Sequence, residues 1–274
     1  MENTNLSQKE TKETREAKNT KEPGRRYAHL DDIRGITLIS MILYHTVWDL
    51  VYLFDVDWQW FRTGAAYVWQ QSICWVFIAL SGYCWSLGSH QKKRGMQVFV
   101  AGVLVSLVTE IVTPNQRICF GVLTFLGTAM LFMVPLEKYL QKIAGKMGLV
   151  FCCIAFFLLR GVNDGYIGFE DKLVLHELPE ALYHTGYVGT FIGFTDMDFY
   201  SADYFSLLPW IFLFMAGYFW YRVDVSRGEL EKKAGQKSRG RFFNMLGRHS
   251  LVIYLLHQPL IYGVLLVMDW LQVI

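Results

Sequence analysis

Residues 35–54 read GITLISMILYHTVWDLVYLF, twenty residues whose only acidic side chain is Asp49 and which contain no Lys or Arg. A helix rises about 1.5 Å per residue and the hydrocarbon core of a bilayer is about 30 Å thick, so about twenty apolar residues cross it. The stretch is long enough for one crossing. Further apolar runs lie near 67–88, 96–113, 118–136, 147–160, 204–222 and 250–271. Together they predict an all-α fold, a polytopic transmembrane helix bundle of about seven spans.

Composition supports this reading. Of 274 residues 53% are apolar, and the 26 basic and 24 acidic side chains are unevenly spread. Residues 1–34 hold 15 of these charges and residues 223–248 hold 10, so half of all charge occupies 60 residues. The remainder is too poor in charge and too rich in Trp, Phe and Tyr for a soluble enzyme, a disordered chain or a disulfide-stapled secreted domain. The five cysteines, Cys74, Cys84, Cys119, Cys152 and Cys153, fall inside apolar runs without CxxC or metal-ligand spacing and read as packing residues. No metal is expected.

Residues 1–29 are polar and lack the apolar core and cleavage site of a signal peptide, which predicts a retained, disordered cytoplasmic tail ahead of a transmembrane domain over 30–274. Lys and Arg accumulate on the cytoplasmic side of short loops. Seven spans with a cytoplasmic N-terminus place 22 of the 26 basic residues inside, including those of the basic loop at 223–248, and leave Arg62, Arg117, Arg160 and Lys172 outside. One extra crossing between 161 and 203 would spoil that asymmetry. The segment is therefore expected to contribute none, with 182–195 re-entrant or interfacial.

Ionisable side chains inside a span are costly and mark function by default. The first span carries Asp31, Asp32 and Arg34 at its mouth, then His45 and Asp49 deeper in. Arg34 and His45 are eleven residues apart, about 1,100° of helical rotation, so they share a face about 16 Å apart along the axis. Asp31 and Asp49 fall near the same stripe, within pairing distance of Arg34 and His45 respectively. The last span adds His257 in GRHSLVIYLLHQPLIY, with Ser250 a natural N-cap and Pro259 set to bend the helix. Against this stands the plain reading of an interfacial anchor and a hydrogen-bonded core histidine.

Other features read as structure. Ser81, Gly82 and Gly88 form a small-residue surface for close helix approach, and Glu110 can snorkel to water. Trp58, Trp60 and Phe61, with Asp55 and Asp57, read as an outer interfacial belt and secondarily as a sugar-stacking mouth. Asp203 is placed at the outer edge of the sixth span, and Pro209 within it as a kink. GxGxxG, P-loop, GxSxG and HExxH motifs are all missing from the sequence.

Five stretches taken in order, LDDIRGITLISMILYH, FIALSGYCWSLG, ICFGVLTFLG, SADYFSLLPW and HSLVIYLLHQPLIY, resemble the heparan-alpha-glucosaminide N-acetyltransferase catalytic-domain family over roughly residues 28–262. That family is similar to the membrane acyltransferases of family 3, whose first helix carries Arg, ten residues, then His, as Arg34 and His45 do here. The resemblance implies that residues 30–274 are a transmembrane acyltransferase domain, multi-pass in the cell membrane, moving an acyl group, usually acetyl, from acyl-CoA to a sugar. Its partners are then the lipid bilayer, acyl-CoA (acetyl-CoA) as donor and a carbohydrate acceptor, with no nucleic acid; a homo-oligomer stays open. His45 inherits the role of catalytic histidine and Arg34 that of its partner near the donor.

Chemically, acyl transfer needs a base for the acceptor, an anion site for the donor and stabilisation of the oxyanion. His45 can supply the first, as a base or as a transiently acylated nucleophile, with Asp49 orienting it. Arg34, paired with Asp31, and Lys92, Lys93 and Arg94 on the next cytoplasmic loop suit CoA phosphates. His257 is the candidate for oxyanion or proton help. Two readings from other classes share these residues, a proton-coupled small-solute transporter and a non-catalytic membrane homologue.

Overall fold

The computed structural model describes residues 27–170, 172–234 and 240–273. All but the last three residues of the expected tail, and part of the basic loop, therefore lie outside the described residues.

Each predicted apolar run coincides with a helix. These are α1 (Ala28–Tyr52), α2 (Gly64–Trp85), α3 (Gln91–Val112), α4 (Val122–Leu140), α5 (Gly145–Leu158), then α7 (Trp210–Ser226) and α10 (Ser250–Trp270). Between α5 and α7 stand strands β1 (Tyr166–Phe169) and β2 (Leu173–Glu177) and the short helix α6 (Gly186–Ile192). Two short helices, α8 (Glu229–Ala234) and α9 (Arg241–Arg248), separate α7 from α10.

Among the described residues four helices, α1, α3, α4 and α10, are long and apolar enough to cross a membrane. The outward face of α3 shows why. Leu104, Leu107, Val108 and Ile111 recur at helical spacing and are all exposed, an apolar stripe turned away from the protein that water would disfavour and lipid accepts. The protein is a helical membrane protein.

Helix boundaries differ from the sequence expectation where a distant segment intervenes. The fourth run was expected from 118, but α4 begins at Val122. Residues 117–120 pair with the 200–205 segment through Ala202 N–H to Arg117 O at 2.9 Å and Phe205 N–H to Phe120 O at 2.9 Å. Asp203 Oδ2 then accepts from Val122 N–H at 3.1 Å, a cap supplied from far along the chain. Holding 203–205 in that pairing delays α7 to Trp210, so Pro209 stands ahead of the helix instead of kinking it. Ser250 is likewise the first helical residue of α10, not its cap. Pro259 does sit within α10.

Among the described residues of the 161–203 segment no helix is long enough to span, since α6 has 7 residues and reaches only about 10 Å. The small antiparallel hairpin β1–β2 departs from a purely helical fold. It is tied to the bundle by Glu170, which accepts from Tyr67 Oη at 2.6 Å and pairs with Arg160 at 3.0 Å.

Helix packing is closest where glycines face each other. A Cβ on Gly82 of α2 would stand 1.9 Å from Phe214 O of α7, and one on Gly217 of α7 would stand 1.9 Å from Ala79 O of α2. The two backbones touch, which bears out the small-residue reading of the Ser81–Gly82 surface. Behind this crossing Phe125, Phe156, Phe214, Tyr218 and Phe219 fill the main core. On the other side α1 packs against α2, α9 and α10.

Candidate functional site

α1 and α10 bring together side chains from opposite ends of the chain. The rings of His45 and His257 lie 5.0 Å apart between centroids, tilted by 56°. One turn further along α1, Asp49 is fully enclosed at 0% exposure. Gln258 Nε2 donates to its two oxygens at 2.8 and 3.1 Å.

Asp49 was expected to hold His45 from one turn away. Its hydrogen-bonding partner is instead Gln258. A helix face places residues i and i+4 side by side, but α10 offers Asp49 an amide donor directly across the interface. The carboxylate takes that cross-helix bond, because a buried acceptor left unmet costs more than a local contact returns.

His257 is held from its own helix. Nδ1 donates to Tyr254 O at 2.5 Å, and the Tyr254 ring lies 5.2 Å away. A carbonyl oxygen accepts only, so the hydrogen sits on Nδ1, and in the neutral ring the lone pair is then on Nε2. Nε2 is buried without a hydrogen-bond partner among the described residues, as is Gln258 Oε1. His257 is 8% exposed, whereas His45 is only half-buried.

Three helix ends gather cations at another place. Arg34 pairs with Asp31 at 3.6 Å, and its charge and that of Arg94 are near enough to act on each other. A Cβ on Gly88 would meet the Arg94 guanidinium at 2.2 Å, so Arg94 folds back over the end of α2. Lys92 and Lys93 are exposed in the first turn of α3. Two arginines kept together with one nearby carboxylate suit a multiply charged anion. Helix α9 braces this end, since a Cβ on Gly35 would stand 2.2 Å from Phe243 O and one on Gly247 2.0 Å from Asp31 O.

Arg34 and His45 therefore share α1 without sharing a site, one in the cationic cluster and the other at the histidine pair. Gln258 and Tyr254 are the residues that sequence reasoning passed over. Their signal was present, as polar groups flanking His257 in an otherwise apolar run. Trp58 and Trp60 are exposed, and Trp60 stacks on Trp69 at 6.4 Å. Glu110 is exposed, as snorkelling requires. Among the described residues no group of three or more His, Cys, Asp or Glu is arranged to hold a metal.

The candidate site is thus a histidine pair between two apolar helices, with the Asp49–Gln258 pair one turn away and a cationic cluster toward the start of α1. The model of one family, heparan-alpha-glucosaminide N-acetyltransferase, catalytic, matches residues 26–259. The chain belongs to that family, one of membrane acetyltransferases, and Arg34, His45, Asp49, His257 and Gln258 all fall within the match. Neither a curated protein nor a solved structure matches the chain.

Proposed function

We propose that this protein is an integral membrane acyltransferase of the cell membrane, seven-spanning with its N-terminus in the cytoplasm, that moves an acetyl group from acetyl-CoA to a carbohydrate. The observation that carries the reading is the 5.0 Å approach of His45 and His257 beside the enclosed Asp49–Gln258 pair. Two titratable rings side by side inside a bundle supply proton transfer where water is scarce, which acyl transfer to a hydroxyl or amine requires.

Arg34 and Arg94, with Asp31 steering Arg34 and Lys92 and Lys93 alongside, would hold the phosphates of the donor. Bound there, acetyl-CoA supplies a thioester, an acyl group already activated for transfer. Arg34 and His45 are about 16 Å apart along α1, a span that a long, flexible donor can bridge. Asp49, locked by Gln258, fixes the rotation of α10 against α1 and so keeps His257 beside His45. The cations bind and orient, Asp49 and Gln258 position, and the histidines move protons.

The test is turnover of His45→Gln. Glutamine keeps size and hydrogen bonding but cannot take a proton, so the variant is expected to fold and bind acetyl-CoA while acetyl transfer to glycan acceptors falls at least about 100-fold. Transfer at near parental rate would remove His45 from the chemistry. A parent protein that moves solute across vesicles and leaves acetyl-CoA intact would identify a transporter.

A further inference from the structure

The sequence offers His45 as the acceptor's base or as a transiently acylated nucleophile; we infer from the hydrogen-bond directions that the base is His257, through Nε2, and that the acceptor group it meets is a neutral hydroxyl or amine. The inference rests on the acyltransferase reading and assigns roles within it.

Nδ1 of His257 is committed to Tyr254 O, which fixes the tautomer and leaves Nε2 as a lone-pair acceptor. This atom is buried in a residue only 8% exposed, with no hydrogen-bond partner among the described residues. A buried acceptor without a donor is unfavourable unless a ligand supplies one. Gln258 repeats the pattern. Its Nε2 is spent on the Asp49 carboxylate, which also fixes which way the amide faces and leaves Oε1 buried without a partner. Both side chains face α1, where His45 and Asp49 meet them.

Two unmet acceptors attract O–H or N–H donors and repel an anion. The His257 end of the site is thus suited to the uncharged acceptor, and the anionic donor is left to the cations near Arg34. A ring whose second nitrogen donates to a fixed carbonyl is also oriented for proton transfer, as an imidazole held by a carboxylate is in hydrolases.

In the step this allows, the acceptor oxygen bonds to the acyl carbon as its hydrogen passes to His257 Nε2. The carbon–sulfur bond then breaks, and the same proton passes across the histidine pair, whose rings lie 5.0 Å apart, to His45, which delivers it to the departing sulfur. Acyl group and proton are both conserved, with no further reactant.

The experiment compares parent and His257→Gln, both as detergent-purified full chains with acetyl-CoA, using two probe acceptors. Water must lose a proton to a base as it attacks, whereas hydroxylamine attacks thioesters without one. The expected result is a loss of acetyl-CoA hydrolysis of about 100-fold in His257→Gln, with acetylhydroxamate formation above the protein-free rate and acetyl-CoA binding both kept within about threefold of parent. Equal hydrolysis by the two proteins, or equal loss with both probes, would overturn the assignment. A parent that forms acetylhydroxamate no faster than hydroxylamine and acetyl-CoA do without protein would overturn the acyltransferase reading itself. Independently of turnover, ¹⁵N NMR of histidine-labelled parent is expected to show His257 with hydrogen on Nδ1; hydrogen on Nε2 in the neutral ring would overturn the inference.

Discussion

Replacing Gln258 by Leu removes both hydrogen bonds to Asp49 while keeping the side chain's volume. The two contacts, at 2.8 and 3.1 Å, are to a carboxylate with 0% exposure, so no solvent replaces them. Hydrogen bonds to a charged group contribute about 1.5–3 kcal/mol net in soluble proteins. In membrane proteins the measured values are smaller, averaging about 0.6 and reaching about 1.7 kcal/mol, because the unfolded chain finds other partners. Full enclosure and charge put this pair at the upper end, which leads us to expect a coupling of about 2 kcal/mol between the two side chains. Gln258→Leu leaves a buried charge unmet and is expected to destabilise the protein by about 3 kcal/mol. The Asp49→Leu/Gln258→Leu double variant leaves nothing unmet, so its cost should fall about 2 kcal/mol short of the sum of the single changes. Asp49→Asn is expected to cost under about 1 kcal/mol, because an amide at that position accepts from Gln258 Nε2 and donates to the free Oε1. The assay is a double-mutant cycle by denaturing-detergent titration of the purified protein. Additivity within about 0.5 kcal/mol would refute the cross-helix clamp.

Three further outcomes are expected. Arg34→Ala should weaken acetyl-CoA binding at least about tenfold, the loss of a charged partner to a phosphate. Arg117→Ala should leave binding unchanged, since Arg117 is bonded to Tyr200 O in the loop before α4; equal affinities measured by calorimetry would remove Arg34 from the donor site. Gly217→Ala should reduce folded protein in detergent severely, because its Cβ would stand 1.9 Å from Ala79 O and 2.9 Å from Tyr83 N, backbone atoms that cannot rotate away; a well-folded variant with parental thermal stability would show that the two helices separate easily. In intact cells, a single cysteine at exposed Lys232 should resist membrane-impermeant reagents and one at exposed Glu177 should react, in a chain whose five native cysteines are replaced by alanine; the reverse pattern would invert the orientation.

What the sequence by itself determined is what local periodicity and composition encode. Length and apolarity located every long helix, with ends shifted by up to seven residues, because about twenty apolar residues suit a membrane wherever their neighbours lie. The eleven-residue spacing put Arg34 and His45 on one face of α1, since helical rotation is a property of the chain. The ordered motifs carried the family. Tertiary structure decided the rest. Whether Asp49 meets His45 or Gln258 depends on which helix lies opposite and how it is rotated, and that is set by contacts distant in sequence, among them the glycine-mediated approaches of α2 to α7 and of α1 to α9. The start of α4 at Val122 depends on Asp203, the start of α7 on the pairing of 200–205 with 117–120, and the hairpin β1–β2 on Arg160 and Tyr67 holding Glu170. The tautomer of His257 likewise follows from one carbonyl oxygen in a folded α10, a direction in space that a linear pattern of residues does not contain.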